Sequence, residues 1–144
     1  MARPVWPVGA RAAVAASVAT TAAALAAKAV DVPLKAAPHS AGAGKAIPLS
    51  GFAMGTVMCT AIGTLLAVVL ARRAKHPATT LVVVTTVLTL ASFAGPMTTG
   101  QTTTATRLVL ELTHVLAAAF VIPALARGLG QQPGRRPVPS VDPG

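Results

Sequence analysis

Three ionisable residues share one face of an apolar segment in the last third of the chain. Arg107, Glu111 and His114 lie in the stretch TRLVLELTH, which leads directly into the apolar run VLAAAFVIPAL. In a helix, Glu111 lies about 40° from Arg107 around the axis, and His114 lies about 20° from it on the other side. A carboxylate three residues before an imidazole can exchange protons, so this pair is a functional-site hypothesis.

The same residues also fit a structural role. Lys28, at the end of the first apolar segment, is expected in the same layer of the bilayer as the segment that holds Glu111. A buried carboxylate needs a counter-charge or a proton, so Glu111 could pair with Arg107 or Lys28 and clamp two helices together. We expect this polar clamp. The alternatives are a proton or ligand site, or a helix end that simply meets water.

The sequence offers little support for other chemistry. One carboxylate and one histidine make a poor zinc site, because zinc usually takes at least three protein ligands. His39 could complete such a site only from a loop. No phosphate loop, nucleotide fingerprint or Ser/His/Asp constellation is present. We therefore predict no catalytic residue, no cofactor and no metal.

The composition is that of a membrane protein. Of 144 residues, 53% are hydrophobic and 10% are charged, and the mean hydropathy is +0.69, which is too apolar for an ordinary soluble domain. The net charge is +9, but the basic residues form short clusters between apolar runs. This pattern fits membrane orientation, and we predict no nucleic-acid partner. The single cysteine, Cys59, excludes an internal disulfide.

The sequence contains four apolar segments, which position Arg107, Glu111 and His114. Each has about 20 residues, which is enough to cross a hydrocarbon core of ~30 Å at ~1.5 Å per residue. We predict an all-α fold, an integral membrane four-helix bundle within residues 12–129. It follows a cytoplasmic N-terminus, residues 1–11, and precedes a disordered cytoplasmic tail, residues 130–144. The expected helices are 12–30, 49–71, 78–97 and 106–126.

The positions of the basic residues predict the orientation of the bundle. If all four segments cross the membrane, eight basic residues that flank them lie on the same side. The loops on the opposite side hold only Lys35 and Lys45. Because lysine and arginine concentrate in cytoplasmic loops, we expect both termini in the cytoplasm. The eight are Arg3, Arg11, Arg72, Arg73, Lys75, Arg127, Arg135 and Arg136.

The first segment has a competing interpretation. It is rich in alanine, follows a basic start and ends near the small-residue pattern AKA, so it could be a cleaved signal peptide. We favour a retained helix, because four crossings place all three basic clusters on one side of the membrane.

Small residues in the second segment predict close helix packing. Gly51, Gly55, Cys59 and Gly63 recur every fourth residue, and the first two form a GxxxG motif. We expect this row to pack inside the bundle, with a homodimer face as the alternative. Pro123 removes a backbone donor from the fourth segment and should bend that helix.

Several stretches resemble a known family. ARRAKHP after the second segment, LASFAGPM at the end of the third and ATRLVLELTHVLAAAFVIPALAR in the fourth are similar to the small four-helix membrane proteins of actinobacteria grouped as domain of unknown function 6069. The resemblance covers most of residues 8–129, and its most specific positions are Pro96, His114 and Pro123. It implies the topology and no particular reaction.

These observations together predict a small multi-pass protein of the plasma membrane without enzymatic activity. We expect it to have a structural or partner-binding role, in contact with the lipid bilayer and with a second copy or another membrane protein. The alternative is a small transporter or proton-coupled permease component that uses Glu111 and His114.

Overall fold

The computed structural model describes residues 5–36, 44–95 and 102–130. His39, Pro96 and the predicted tail from residue 131 onward lie outside the described residues. The chain forms the predicted all-α bundle, with one short antiparallel hairpin that pairs Lys35 with Ala46. The elements are α1 (Val5–Ala29), β1 (Lys35–Ala36), β2 (Lys45–Ala46), α2 (Leu49–Arg73), α3 (Pro77–Ser92) and α4 (Thr104–Gly130).

Two helix bounds differ clearly from the expected ones. Helix α1 begins at Val5 instead of residue 12, and it includes Pro7. Proline is tolerated there because the first amides of a helix have no intrahelical acceptor. Helix α3 ends at Ser92 instead of residue 97. Its 16 residues span about 24 Å, less than the ~30 Å hydrocarbon core.

Three helices are suited to cross a membrane. Among the described residues, α1, α2 and α4 are each long and apolar enough, and α3 is a shorter apolar helix. The length and apolar composition of these helices are therefore those of a membrane protein, as predicted.

The bundle has two distinct ends. Helix α1 packs on α2 and α4, and α3 packs on α4 and α2. Val8 lies beside Gly128, so the start of α1 and the end of α4 are neighbours. We name this the basic end, because it carries Arg11, Arg72, Arg73, Lys75 and Arg127. The opposite end holds the hairpin, and we name it the hairpin end.

An apolar cluster closes each end. At the basic end the buried members are Val5, Ala67, Leu81, Leu125 and Leu129. At the hairpin end they are Ala24, Ala27, Leu34 and Phe52.

Small residues form the interface between α1 and α2. Gly9 faces Thr64 so closely that a Cβ at position 9 would overlap the threonine side chain. Farther along the interface, the hydroxyl oxygens of Thr20 and Thr56 lie 3.0 Å apart. The buried row on α2 consists of Phe52, Thr56, Thr60, Thr64 and Ala67. Thr56 and Thr64 of this row pack against α1, and both lie next to the predicted glycine row in sequence.

Candidate functional site

The predicted polar cluster lies on and around the first three turns of α4. Arg107, Glu111 and His114 are all half-buried there, while Lys28 at the end of α1 is exposed. The start of α4 is fixed to the hairpin end, because the Thr106 hydroxyl donates to the backbone oxygen of Pro33. Thr106 is fully buried, so a neutral hydrogen bond anchors the start of α4 at the hairpin end.

His114 has a defined hydrogen bond. Its Nδ1 lies 2.7 Å from the backbone oxygen of Leu110, one turn earlier in α4. A carbonyl oxygen can only accept, so Nδ1 carries the hydrogen, and in the neutral ring Nε2 has a free lone pair. The ring also packs edge-on against Phe93 at the end of α3, with centroids 6.3 Å apart and an interplanar angle of 84°.

The expected clamp between Glu111 and Arg107 or Lys28 stays a prediction. The histidine at the next turn bonds to Leu110 and not to the carboxylate. The four residues share one end of the bundle.

Two cavities adjoin His114. The first has a volume of about 200 Å³, lies between α2 and α4, and is lined in part by Gly51 and Gly55. The second has a volume of about 250 Å³ and lies among α2, α3 and α4. Cys59 and His114 line both cavities, so these two side chains stand where the cavities meet.

The predicted small-residue row divides into two parts. Gly63 is half-buried, and a Cβ there would meet Leu125 at 3.8 Å, an ordinary packing distance. Gly51, Gly55 and Cys59 are exposed, and a Cβ on Gly55 would meet no atom within 4 Å among the described residues. Within one chain, the outer part of the row does not pack inside the bundle as expected.

The structure also places hydroxyl side chains at the second cavity. Thr60, Thr85, Thr89 and Ser92 line the second cavity. The threonines of α2 recur every fourth residue, and that spacing is the sequence signal that identifies their common face.

Pro123 lies in the interior of α4, and the helix continues beyond it to Gly130. The bend predicted at this residue stays a prediction. Among the described side chains, no three histidine, cysteine or carboxylate groups come close enough to hold a metal ion together.

Comparison with known proteins gives one match. No curated protein and no solved structure matches the chain. The family of unknown function DUF6069 matches residues 1–131 of the 144, which includes all four helices. The family predicted from the stretches around Pro96, His114 and Pro123 is thus confirmed, and the chain belongs to the family of unknown function DUF6069.

Proposed function

We propose that this chain is a multi-pass protein of the plasma membrane that has no catalytic activity of its own and acts by binding a second copy of itself or another membrane protein. In this proposal all four helices cross the bilayer and both termini are in the cytoplasm. Five basic side chains at the basic end support this orientation through the positive-inside rule. A reporter fused after Pro137 should be active only in the cytoplasm, and activity outside the cell would contradict the topology.

The observation that carries the binding proposal is the exposed part of the small-residue row on α2. Small residues in membrane helices allow another helix to approach closely. Gly51, Gly55 and Cys59 are exposed and face α4 only across the first cavity. A Cβ on Gly55 would meet no atom within 4 Å among the described residues. A helix from another molecule can use this surface.

A single substitution tests the surface. Gly55→Leu adds bulk where the chain itself has room, so the bundle should stay folded while association through this face is lost. Ala61→Leu is the matched control, because Ala61 is also exposed on α2 but lies about 120° away around the helix. The readouts are subunit number, by single-molecule photobleaching in bilayers, and the proteins that co-purify in mild detergent. If both are unchanged in Gly55→Leu, the proposal is wrong.

The only cysteine distinguishes the two kinds of partner. A two-fold symmetric dimer places the same surface of both copies in contact. Cys59 lies on that surface, so mild oxidation should join two copies through a disulfide. If no such dimer forms but Gly55→Leu abolishes co-purification of another protein, the partner is that protein.

A second candidate is a small transporter or proton-coupled permease component. The observation in its favour is that His114 lines both cavities, with Glu111 one turn away on the same helix. In this case Glu111→Gln should abolish a pH-dependent flux while the bundle stays assembled. A loss of stability in Glu111→Gln would instead support the clamp, and a flux unaffected by both Glu111→Gln and His114→Ala would exclude the proton pair.

A further inference from the structure

The second cavity, which lies among α2, α3 and α4, has six polar residues in its lining. We name it the α3 cavity. Its volume is about 250 Å³, and most of its lining is apolar, including Leu66, Val121 and Ile122. Its polar lining comprises Cys59, Thr60, Thr85, Thr89, Ser92 and His114.

Almost every one of these polar groups has already donated its hydrogen. The hydroxyls of the three threonines and the serine donate to backbone oxygens of their own helices, and the ring of His114 does so through Nδ1. The distances are 2.7 Å for Thr60 to Thr56, 2.6 Å for Thr85 to Leu81, 2.8 Å for Thr89 to Thr85, 2.6 Å for Ser92 to Thr89 and 2.7 Å for His114 to Leu110.

The lining can therefore accept hydrogen bonds but offers few to a bound molecule. Each hydroxyl oxygen keeps lone pairs after donating, and neutral His114 keeps the lone pair of Nε2. The thiol of Cys59 is the exception, and a thiol is only a weak donor. A molecule that fits these groups must bring its own donor.

We propose that the α3 cavity binds a lipid-soluble molecule that carries a hydroxyl donor, a phenol or an alcohol with an apolar body. The hydroxyl donates to His114 Nε2 or to a threonine oxygen, and the apolar body packs against Leu66, Val121 and Ile122. This site shares Cys59 with the association surface proposed above, but Gly51 and Gly55 do not line it.

The volume of the α3 cavity and its opening to the bilayer limit the size and shape of the ligand. A dry cavity of about 150 Å³ holds a benzene ring, so the larger α3 cavity holds a ring with a short substituent. Ile62 and Leu88 line the cavity and are exposed by 63% and 56%. The cavity thus opens on the outer surface of the bundle, and a longer tail can extend from it into the bilayer.

The test compares two probes that differ in one hydrogen-bond donor. The full chain in mild detergent is dialysed against 4-butylphenol or its methyl ether, 4-butylanisole, with micelles alone as the blank. The phenol should bind saturably, and the ether should bind about three- to tenfold more weakly, as expected for the loss of one hydrogen bond. An acyl chain has no donor, so a cavity that simply takes lipid tails would not discriminate between the probes.

Variants locate the binding. His114→Phe and Thr89→Val each remove an acceptor from the cavity and should bring the affinity for the phenol down toward that for the ether. Thr86→Val is the control, because Thr86 is exposed on the same helix and does not line the cavity. Bound phenol should also slow alkylation of Cys59 by a membrane-permeant thiol reagent.

Two results would overturn the proposal. One is equal affinity of the unmodified chain for the phenol and the ether, a comparison that needs no variant and so does not depend on how a variant folds. The other is an unchanged affinity for the phenol in both His114→Phe and Thr89→Val. The phenol and ether comparison uses the unmodified chain and the association test uses no phenol, so failure of the association surface and failure of this site give different results.

Discussion

Thr20 on α1 and Thr56 on α2 share a buried hydrogen bond between their hydroxyl oxygens, which lie 3.0 Å apart. Each hydroxyl also has a backbone acceptor in its own helix, Phe52 at 2.8 Å for Thr56 and Ser17 at 3.2 Å for Thr20, so either one can donate in the shared bond. Most of the neighbouring buried residues of α1 are alanines, which pack with little directional preference. This bond therefore helps to fix how far α1 can slide along α2.

Replacement of Thr56 by valine keeps the shape of the side chain and removes one partner of this bond. We expect the free energy of unfolding to fall by about 0.5–1.5 kcal/mol, the range found for polar bonds between membrane helices. A double-mutant cycle with Thr20→Val, measured by denaturant unfolding in mixed micelles, should give a coupling energy of that size. Thr86→Val, at an exposed position, is the control, and a coupling near zero would mean that the bond contributes nothing.

Gly9 is a second point at which α1 and α2 come close. A Cβ at this position would overlap the side chain of Thr64, so Gly9→Ala forces the helices apart. We expect a loss of about 1–3 kcal/mol in the free energy of unfolding, as for other overpacked sites. The measurement is again denaturant unfolding in mixed micelles.

A matched glycine controls for helix propensity in that experiment. Gly55→Ala adds the same methyl group to α2 where no described atom lies within 4 Å, and the better propensity of alanine should leave stability unchanged or slightly raised. Gly9→Ala combined with Thr64→Ala should recover part of the loss. If Gly9→Ala were as stable as Gly55→Ala, the close approach would not exist.

Hydropathy and spacing predict most of the fold. The apolar segments give the four helices, because a membrane requires long uninterrupted apolar runs. The start of α1 could not be predicted, since Pro7 and Gly9 normally weaken a helix and the contact that favours Gly9 comes from Thr64 on another helix. Helix α3 is also shorter than its apolar run, and hydropathy alone does not show where an apolar helix ends.

The candidate site could be predicted only in part. Helical spacing places Glu111 and His114 on one face of α4, but it does not show that His114 bonds to Leu110. The small-residue row predicts a packing surface, but only Gly63 of the row is half-buried in the chain, and tertiary contacts decide which helix packs where. Thr56 and Thr64 belong to a row with the same spacing and pack against α1 in place of the outer glycines. Two rows with equal periodicity cannot be ranked from sequence alone.

Asp31 follows the end of α1 with an unfavourable backbone conformation and an unfavourable charge. Its φ is 59°, in the left-handed region, and the amides of Asp31 and Val32 bond to the backbone oxygens of Lys28 and Ala27. These are the two bonds of a Schellman motif, whose left-handed position is usually glycine. The carboxylate also faces the negative end of the helix dipole.

Substitutions at Asp31 should therefore raise stability in a defined order. We expect Asp31→Gly to gain about 1 kcal/mol by relieving both the backbone conformation and the charge. Asp31→Asn should gain less, since it removes only the charge, and Asp31→Ala should lose stability because alanine resists a positive φ. Unfolding in mixed micelles gives the order, and a stabilising Asp31→Ala would contradict it.

The last prediction concerns whether α1 stays in the mature protein. Helix α1 packs against Thr56 and Thr64 of α2 and supplies Ala24 and Ala27 to the apolar cluster at the hairpin end. Removal as a signal peptide would expose Thr56 and Thr64 to lipid and open that cluster. We therefore expect purified protein to retain α1, with an intact mass that corresponds to a start at Met1 or Ala2. A mature chain that begins after the AKA pattern would show that α2, α3 and α4 form the functional unit without it. The topology reporter cannot make this distinction, because three remaining crossings would still place Pro137 in the cytoplasm.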